Sequence, residues 1–242
     1  MAGKKPLLKK DGFKATVIKP DATCTMISLE ARAESRQDTI KQLESVGLEV
    51  NVIESKPSAD GHDYGNAFSN MKASIEALKL AIKNKQSLLF TEDDIKLNSK
   101  FKWALKKAIK LNEVTYFYAH DLTRQMNAMY GNYTSVHIKA GTLPEQSVRP
   151  FQSNDYLLFT QCVYLPLELI QSFDLEGMSK LGSEGEGAQS FDEFLQAYFK
   201  NKGIMPNVVL PHVVQHLKAT AGRDLKLKRG HDYMHSMSFR DG

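Results

Sequence analysis

The sequence predicts an α/β fold in which helices pack against a mostly parallel sheet. Residues 25–29 (TMISL) are apolar and typical of a strand, a helix signal runs from Ser35 to Gly47, and residues 48–54 (LEVNVIE) alternate like a second strand. Strand, helix and strand in this order form a βαβ unit, whose two strands lie parallel in one sheet. A chain of 242 residues fits one large domain of this kind.

Helices and strands continue to alternate along the rest of the chain. Apolar residues at three- and four-residue spacing predict further helices carrying Met71–Ile82, Phe101–Ile109 and Phe191–Phe199, and a short helix at 166–173. Short apolar runs predict strands at 88–90, 114–118, 156–165, 208–210 and 213–214, of which the last two are expected to close the sheet. Residues 56–68, 121–154 and 181–188 are predicted to be loops or irregular segments.

The two ends of the chain are more basic than its middle. We expect a mobile basic arm at residues 1–12, the folded domain at 13–217 and a basic tail at 218–242. No stretch approaches the roughly 18 apolar residues of a membrane span, and the N-terminus lacks the apolar core of a signal peptide, so we expect a cytoplasmic protein. Cys24 and Cys162 lie in apolar runs and are expected to be buried thiols.

Three carboxylates follow the buried strand at 88–90. Glu92, Asp93 and Asp94 are expected at the carboxyl end of that strand, where ligands bind in open α/β sheets. Adjacent carboxylates repel one another unless solvent or a cation compensates them, and Mg²⁺ or Mn²⁺ prefers such oxygen ligands together with substrate phosphates. The alternative is a solvated turn in which Asp94 or Asn98 only caps the next helix.

The segment EDDIKLNSKF resembles the metal-binding motif of GT-A glycosyltransferases, in particular N-acetylglucosaminyltransferases and the lipopolysaccharide/procollagen-type families. Four other segments are similar to those families in the same order: ISLEARAESR, FTQCVYLP, FDEFLQAYF and PHVVQHL. The resemblance covers roughly residues 24–217. It implies a GT-A fold with one mixed, mostly parallel sheet between helices, and transfer of a sugar from a nucleotide-sugar donor, here expected to be UDP-linked, with Mn²⁺ or Mg²⁺.

The same resemblance suggests roles for single residues. It implies that Asp94 binds the metal and that Glu92 and Asp93 contact the donor sugar and the ribose. Gly65 and Ser74 match a loop glycine and a helix serine that precede the acids by one helix length, and we place them with the donor-binding residues.

Two basic side chains complete the predicted donor site. Arg32 follows the first strand, and we interpret it as a contact to the base or a phosphate; a solvated charge at a helix start is the alternative. His216 follows Gln215 at a strand end and is a candidate ligand of the metal or of a phosphate oxygen, with a satisfied core histidine as the alternative.

A second acidic pair opens the helix that carries Phe191. Ser190 and Glu193 have the spacing of a capping box, which accounts for Glu193 structurally. Asp192 is left at the helix N-terminus, where the dipole favours its ionised form. An ionised carboxylate near the donor can accept the proton of an acceptor hydroxyl, and the resemblance assigns the catalytic base of an inverting displacement to this helix. We interpret Asp192 as the base and Glu193 as the second choice; two exposed acids that only favour the dipole are the alternative.

The acceptor is predicted from charge. Lysines gather on the arm, the tail and the helix at 99–111, and Tyr130 and Arg124 lie in the irregular segment 121–154. Basic groups near aromatic ones suit phosphate binding and base stacking. We therefore expect DNA with hydroxymethylated pyrimidines as acceptor, as in bacteriophage genome modification; the alternatives are a glycan or lipopolysaccharide and a cytosolic protein. Two other classes remain: a non-catalytic nucleotide- or nucleic-acid-binding domain, and a metal-dependent nuclease or phosphotransferase.

Overall fold

A computed structural model describes residues 22–29, 32–33, 35–55, 63–118, 146–151, 160–183, 189–216 and 239. The predicted arm at 1–12 lies outside these residues, as do Arg124 and Tyr130 and all of the basic tail except Phe239. In the described part of the chain, no helix is long and apolar enough to cross a membrane.

The described helices and strands alternate along most of the chain. They are, in chain order, β1 (Ala22–Leu29), α1 (Ser35–Ser45), β2 (Val50–Ser55), α2 (Asp63–Asn84), β3 (Ser87–Glu92), β4 (Ile95–Leu97), α3 (Phe101–Leu111), β5 (Thr115–Tyr116), β6 (Ser147–Pro150), β7 (Cys162–Leu165), α4 (Leu167–Gln171), α5 (Leu175–Ser183), α6 (Phe191–Lys202), β8 (Asn207–Leu210) and β9 (Val214–His216).

The main sheet has seven strands in the order β2-β1-β3-β7-β5-β8-β6. β1 pairs in parallel with β2 and β3, and β5 in parallel with β8, while β7 and β6 run antiparallel to their neighbours. Five of the seven strands therefore point the same way. The predicted α/β class with a mixed, mostly parallel sheet flanked by helices is confirmed, and so is the βαβ unit at its start.

Helices cover both faces of this sheet. Because strand side chains alternate between faces, Leu88 and Phe90 of β3 pack with α2, α4, α5 and α6, whereas Leu89 packs with α1 and α3. Phe101, Ala104 and Leu105 form the buried stripe of α3, as their spacing predicts. The helices are thus held against the two faces of the sheet by two separate apolar cores.

Three features differ from the sequence predictions. The segment at 213–214 does not close the main sheet, because β9 pairs with β4 in a separate two-stranded sheet. α2 begins at Asp63, so the last six residues of the predicted loop at 56–68 are helical and Gly65 lies in a helix. α5 and β6 occupy parts of the predicted loops at 181–188 and 121–154. In each case pairing or packing with a distant segment outweighs local composition.

Candidate active site

The three predicted acids lie at the carboxyl end of β3, but on different faces of the sheet. Glu92 is the last residue of β3, and the turn of Asp93 and Asp94 joins it to β4. Alternation directs Glu92 to the face covered by α2 and α6, and Asp93 to the face covered by α1. Adjacent acids in the sequence therefore have separate surroundings, and repulsion between Glu92 and Asp93 is reduced.

Asp93 is buried and fully engaged. Its side chain accepts hydrogen bonds from Ser28 Oγ at 2.7 Å and from Arg32 Nη1 at 2.7 Å, one on each carboxylate oxygen. Only 2% of Asp93 is exposed. A carboxylate with both oxygens bonded to protein groups acts as an anchor for its neighbours, so the structure places Asp93 as a support of Arg32.

Arg32 joins both acids of the turn. The same Nη1 atom donates to Asp94 Oδ2 at 2.8 Å. Burial lowers the pKa of Arg32, but the attraction of Asp94 and Asp93 outweighs it and raises the pKa above its ordinary value. The guanidinium therefore stays charged and partly neutralises the acids. Whether Arg32 also contacts a nucleotide, as the sequence suggests, stays a prediction.

Helix α1 holds the turn from the other side. Thr39 Oγ1 lies 2.8 Å from the carbonyl oxygen of Asp93 and 3.2 Å from that of Ile95, and Gln42 Oε1 accepts the backbone N–H of Leu97 at 2.8 Å. These bonds fix the backbone on both sides of Asp94. Sequence reasoning missed Ser28 and Thr39, because an isolated hydroxyl residue in a strand or helix gives no periodic signal.

The two-stranded sheet of β4 and β9 brings the last described strand next to the turn of Asp93 and Asp94. β4 and β9 are antiparallel, with Ile95 opposite His216. The backbone of His216 therefore lies beside the residue that follows Asp94, although 122 positions (216 − 94) separate the two in sequence. A role of His216 as a metal ligand stays a prediction.

A divalent cation suits the charges of this site. Among the described residues, no group of three or more His, Cys, Asp or Glu side chains is already arranged to hold a metal. Asp93 and Asp94 share one guanidinium, and the Asp94 carboxylate is the kind of hard oxygen ligand that Mg²⁺ and Mn²⁺ prefer. The residues fit an ion that takes its remaining ligands from a bound diphosphate.

On the opposite face, β7 and α6 complete the edge. The backbone carbonyl of Gln161 accepts the N–H of Glu92 at 3.0 Å, which extends the β3–β7 ladder by one pair. Phe191, the first residue of α6, packs against Phe90 with ring centroids 5.1 Å apart. Asp192 follows Phe191 directly, so it lies on the same face of the sheet as Glu92. It is farther from the carboxyl edge than Glu92, because Phe90 precedes Glu92 in β3.

The start of α6 has the predicted capping box. The N–H of Ser190 donates to Glu193 Oε2 at 2.7 Å, and Ser190 Oγ bonds to Asp192 and to Glu193. Asn70 Oδ1 of α2 accepts the N–H of Phe191 at 3.0 Å. Glu193 is exposed and caps the helix, whereas Asp192 is half-buried. This confirms the structural interpretation of Glu193 and leaves Asp192 as the acid nearer the sheet.

Asp192 differs from the sequence expectation in its ionisation. Burial raises the pKa of Asp192 above its ordinary value and outweighs the hydrogen bond from Ser190, which acts in the opposite direction. The dipole effect predicted from the sequence is therefore not the dominant influence. Burial raises the pKa of Tyr116 on β5, and the negative charge of Asp192 raises that pKa further.

The two remaining predicted site residues lie in α2. Ser74 is buried and its hydroxyl donates to the carbonyl of Asn70 at 2.8 Å, within the same helix. Gly65 lies in the first turn of α2, and the described contacts do not include it. A role of either residue in donor binding stays a prediction.

Comparisons with known proteins are limited to folds. No family model and no curated protein sequence matches the chain. Among solved structures, a similar one is the galactosyltransferase LgtC, crystallised with donor and acceptor sugar analogs. Its sequence is 10% identical, the superposition gives a TM-score of 0.40, and the match covers 82% of this chain and 88% of that one.

Proposed function

We propose that this chain is a GT-A glycosyltransferase that moves a sugar from a UDP-linked donor to an acceptor hydroxyl with the help of Mn²⁺ or Mg²⁺. The observation that supports the proposal is the hydrogen-bonded cluster of Arg32, Asp93 and Asp94 at the carboxyl end of β3, to which the β4–β9 pairing brings the backbone of His216. This edge is where open α/β sheets bind ligands, and a carboxylate beside a half-buried arginine suits a metal-bound diphosphate, with His216 proposed as the second ligand of the metal.

Each residue has a distinct task in this proposal. Asp94 and His216 would hold the metal, which would supply positive charge to the departing diphosphate. Arg32 adds a second positive charge beside Asp94, and Asp93 with Ser28 keeps that guanidinium in place. Glu92, on the other face, contacts the donor sugar, while Gly65 and Ser74 support the donor from α2.

The chemical step is a direct displacement that inverts the anomeric carbon. The acceptor oxygen forms a bond to that carbon while the bond to the diphosphate oxygen breaks, and the hydroxyl proton passes to the Asp192 carboxylate. A raised pKa suits this task, because a stronger base accepts the proton more readily as long as it is ionised at the working pH. Glu193 is the second choice for the base and is occupied as a cap.

The acceptor proposed is DNA with hydroxymethylated pyrimidines, modified in the cytoplasm of a host that carries a bacteriophage. The supporting observation is α3, which has no acidic residue among its 11 positions. The lysines of this face are all exposed: Lys100, Lys102, Lys106, Lys107 and Lys110. Trp103 lies among them, with Lys107 Nζ 5.9 Å from its ring centroid. A glycan, a lipopolysaccharide or a cytosolic protein is the alternative acceptor.

Two experiments test the proposal in order. Calorimetry with Mn²⁺ and UDP should show binding by the wild type and none by Asp94→Ala; equal binding by both would remove Asp94 from the metal site. Mass spectrometry of nucleosides, after incubation with nucleotide-sugars and hydroxymethylcytosine DNA, should then show a hexose adduct. If a glycan is modified and DNA is not, the transferase stands and the DNA acceptor is wrong. If Mn²⁺ and UDP bind and neither acceptor is modified, the chain is a non-catalytic nucleotide-binding domain.

A further inference from the structure

The side-chain amide oxygen of Gln161 is buried at the edge of the site. The residue lies at the turn before β7 and is 4% exposed. Its backbone carbonyl is used twice, by the N–H of Glu92 at 3.0 Å and by Thr91 Oγ1 at 3.1 Å. Its side-chain oxygen Oε1 is buried and has no hydrogen-bond partner among the described residues. A buried acceptor without a donor is destabilising, and most such groups in proteins are satisfied by a protein group, water or ligand.

The side chain of Gln161 shares a sheet face with the acids of α6. Cys162 and Tyr164 of β7 pack on the α1 and α3 side, and Val163 and Leu165 on the α2 and α6 side. Continued alternation puts Gln161 on the α2 and α6 side, opposite Glu92 across the ladder. In the row behind it, Phe90, Val163 and Tyr116 lie side by side, and Phe191 packs on that row. Gln161 therefore lies beside Glu92, in the row of the sheet next to the one on which Phe191 packs.

The chemistry of this spot selects the kind of ligand. An amide oxygen accepts hydrogen bonds and cannot donate them, and the neighbouring Glu92 carboxylate also accepts when ionised. An ionised diphosphate offers acceptors only, so it does not satisfy Gln161 Oε1. A sugar ring offers several hydroxyl donors, each of which can also accept from the amide nitrogen.

We infer that the Gln161 side chain accepts a hydrogen bond from a hydroxyl of the transferred sugar and so helps to determine which sugar is bound. The inference rests on the proposed function and adds a residue that no sequence motif marks. Removal of the acceptor should weaken the binding of the sugar part of the donor about tenfold, and leave the binding of the nucleotide part unchanged.

The first test needs no ligand. Gln161→Met keeps the size of the side chain and removes its polar end, so the melting temperature should stay the same or rise. Gln86→Met is the matched control, because Gln86 Oε1 accepts from Thr23 Oγ1 at 2.8 Å; it should lower the melting temperature by about 2–4 °C. If Gln161→Met lowers the melting temperature as much as the control does, its oxygen has a structural partner and the inference is wrong.

The second test compares the thermal shift with Mn²⁺ and UDP against that with Mn²⁺ and UDP-glucose, UDP-galactose or UDP-N-acetylglucosamine. In the wild type, one of the three UDP-sugars should raise the melting temperature more than UDP does. Gln161→Met should keep the rise caused by UDP and lose the extra rise caused by the sugar. An addition that survives in Gln161→Met overturns the inference alone, and so does a wild type in which none of the three sugars adds to the shift of UDP. No shift of the wild type with any of the four compounds overturns the proposed function as well.

Discussion

Arg32 and Asp94 are joined by a hydrogen bond of 2.8 Å between Nη1 and Oδ2, made by the same nitrogen atom that bonds to Asp93. One positive charge thus serves two buried carboxylates, which are 2% and 7% exposed. The three side chains form one hydrogen-bonded cluster at the turn between β3 and β4.

Arg32→Met should destabilise the metal-free protein strongly. It leaves two buried carboxylates without their cation, and loss of one partner of a buried pair costs about 3–5 kcal/mol. Added Mn²⁺ should recover more stability in Arg32→Met than in the wild type, measured by urea unfolding. Arg36→Met is the control, since Arg36 pairs with the half-exposed Glu54 and contributes about 0–1 kcal/mol. Equal losses of unfolding free energy in the two variants would contradict the claim that Arg32 neutralises Asp93 and Asp94.

Asp94→Asn and Asp93→Asn should distinguish the proposed metal ligand, Asp94, from Asp93, which holds Arg32 in place and stabilises the fold. Asp93 accepts from both Ser28 and Arg32, so its replacement should lower stability more. Asp94→Asn should abolish the calorimetric signal of Mn²⁺ with UDP and lower stability less. The expectation is wrong if Asp93→Asn is the milder change in urea unfolding, or if Asp94→Asn keeps the metal signal.

Asp192→Asn should raise stability at neutral pH and lower activity. Folding raises the pKa of Asp192 above 3.8, so the folded state binds the proton more tightly than the unfolded state and stability falls as pH rises through that window. A neutral amide removes this cost, and the gain over wild type should vanish as pH falls to 3.8. Turnover should fall by about 10²–10⁴, and wild-type kcat should decline on acidification at a pH above the ordinary aspartate range. Glu193→Gln, which keeps the capping box, should retain most turnover; if it loses as much as Asp192→Asn, Glu193 is the base.

His212→Gln should make the protein more resistant to acid. His212 is fully buried beside Tyr118, and burial lowers the pKa of this imidazole from 6.5 to about 3. A group with a depressed folded pKa contributes stability above pH 6.5 that is lost as pH falls towards 3. Between pH 7 and pH 5 the wild type should lose about 2 kcal/mol more than His212→Gln in urea unfolding. Parallel losses would show that the imidazole protonates without unfolding the domain.

Replacement of Lys102, Lys106 and Lys110 by Gln should weaken DNA binding and spare the fold. The three lysines follow one another at four-residue spacing, so their repulsion costs about 0.2–0.5 kcal/mol per pair and stability should not fall. The slope of log K against log salt for a hydroxymethylcytosine duplex should become shallower by about 0.9 for each lost phosphate contact. The matched control replaces Lys41, Lys79 and Lys180, which form exposed ion pairs within their helices. Identical slopes in both triple variants would place the DNA surface elsewhere.

The sequence predicted those parts of the site that local pattern determines. The apolar run before Glu92 indicated a strand end with acids, and the spacing of Ser190 and Glu193 indicated the capping box; both are confirmed. The βαβ start was predictable because α1 and β2 each carry a complete periodic signal, with Gly47 at φ 95° after the helix.

What the sequence did not reveal depends on distant partners. β4 has three residues and becomes a strand only because β9 pairs with it, and no local pattern reports that pairing. Ser28 and Gln161 acquire their significance from Asp93 and Glu92 on neighbouring strands. The raised pKa of Asp192 depends on burial at the start of α6, which an isolated helix signal does not contain.

The pairing of Ile95 with His216 also sets the order in which the protein matures during synthesis. Since 121 residues (216 − 95) separate the two, a ribosome that adds roughly 5–20 residues per second needs roughly 6–24 s between them. The first βαβ unit and β3 have emerged by then, with the acids already in the chain but without the strand that brings the histidine. A nascent chain stopped before residue 214 would carry the acidic turn and lack β9, so the proposed metal site should be completed last.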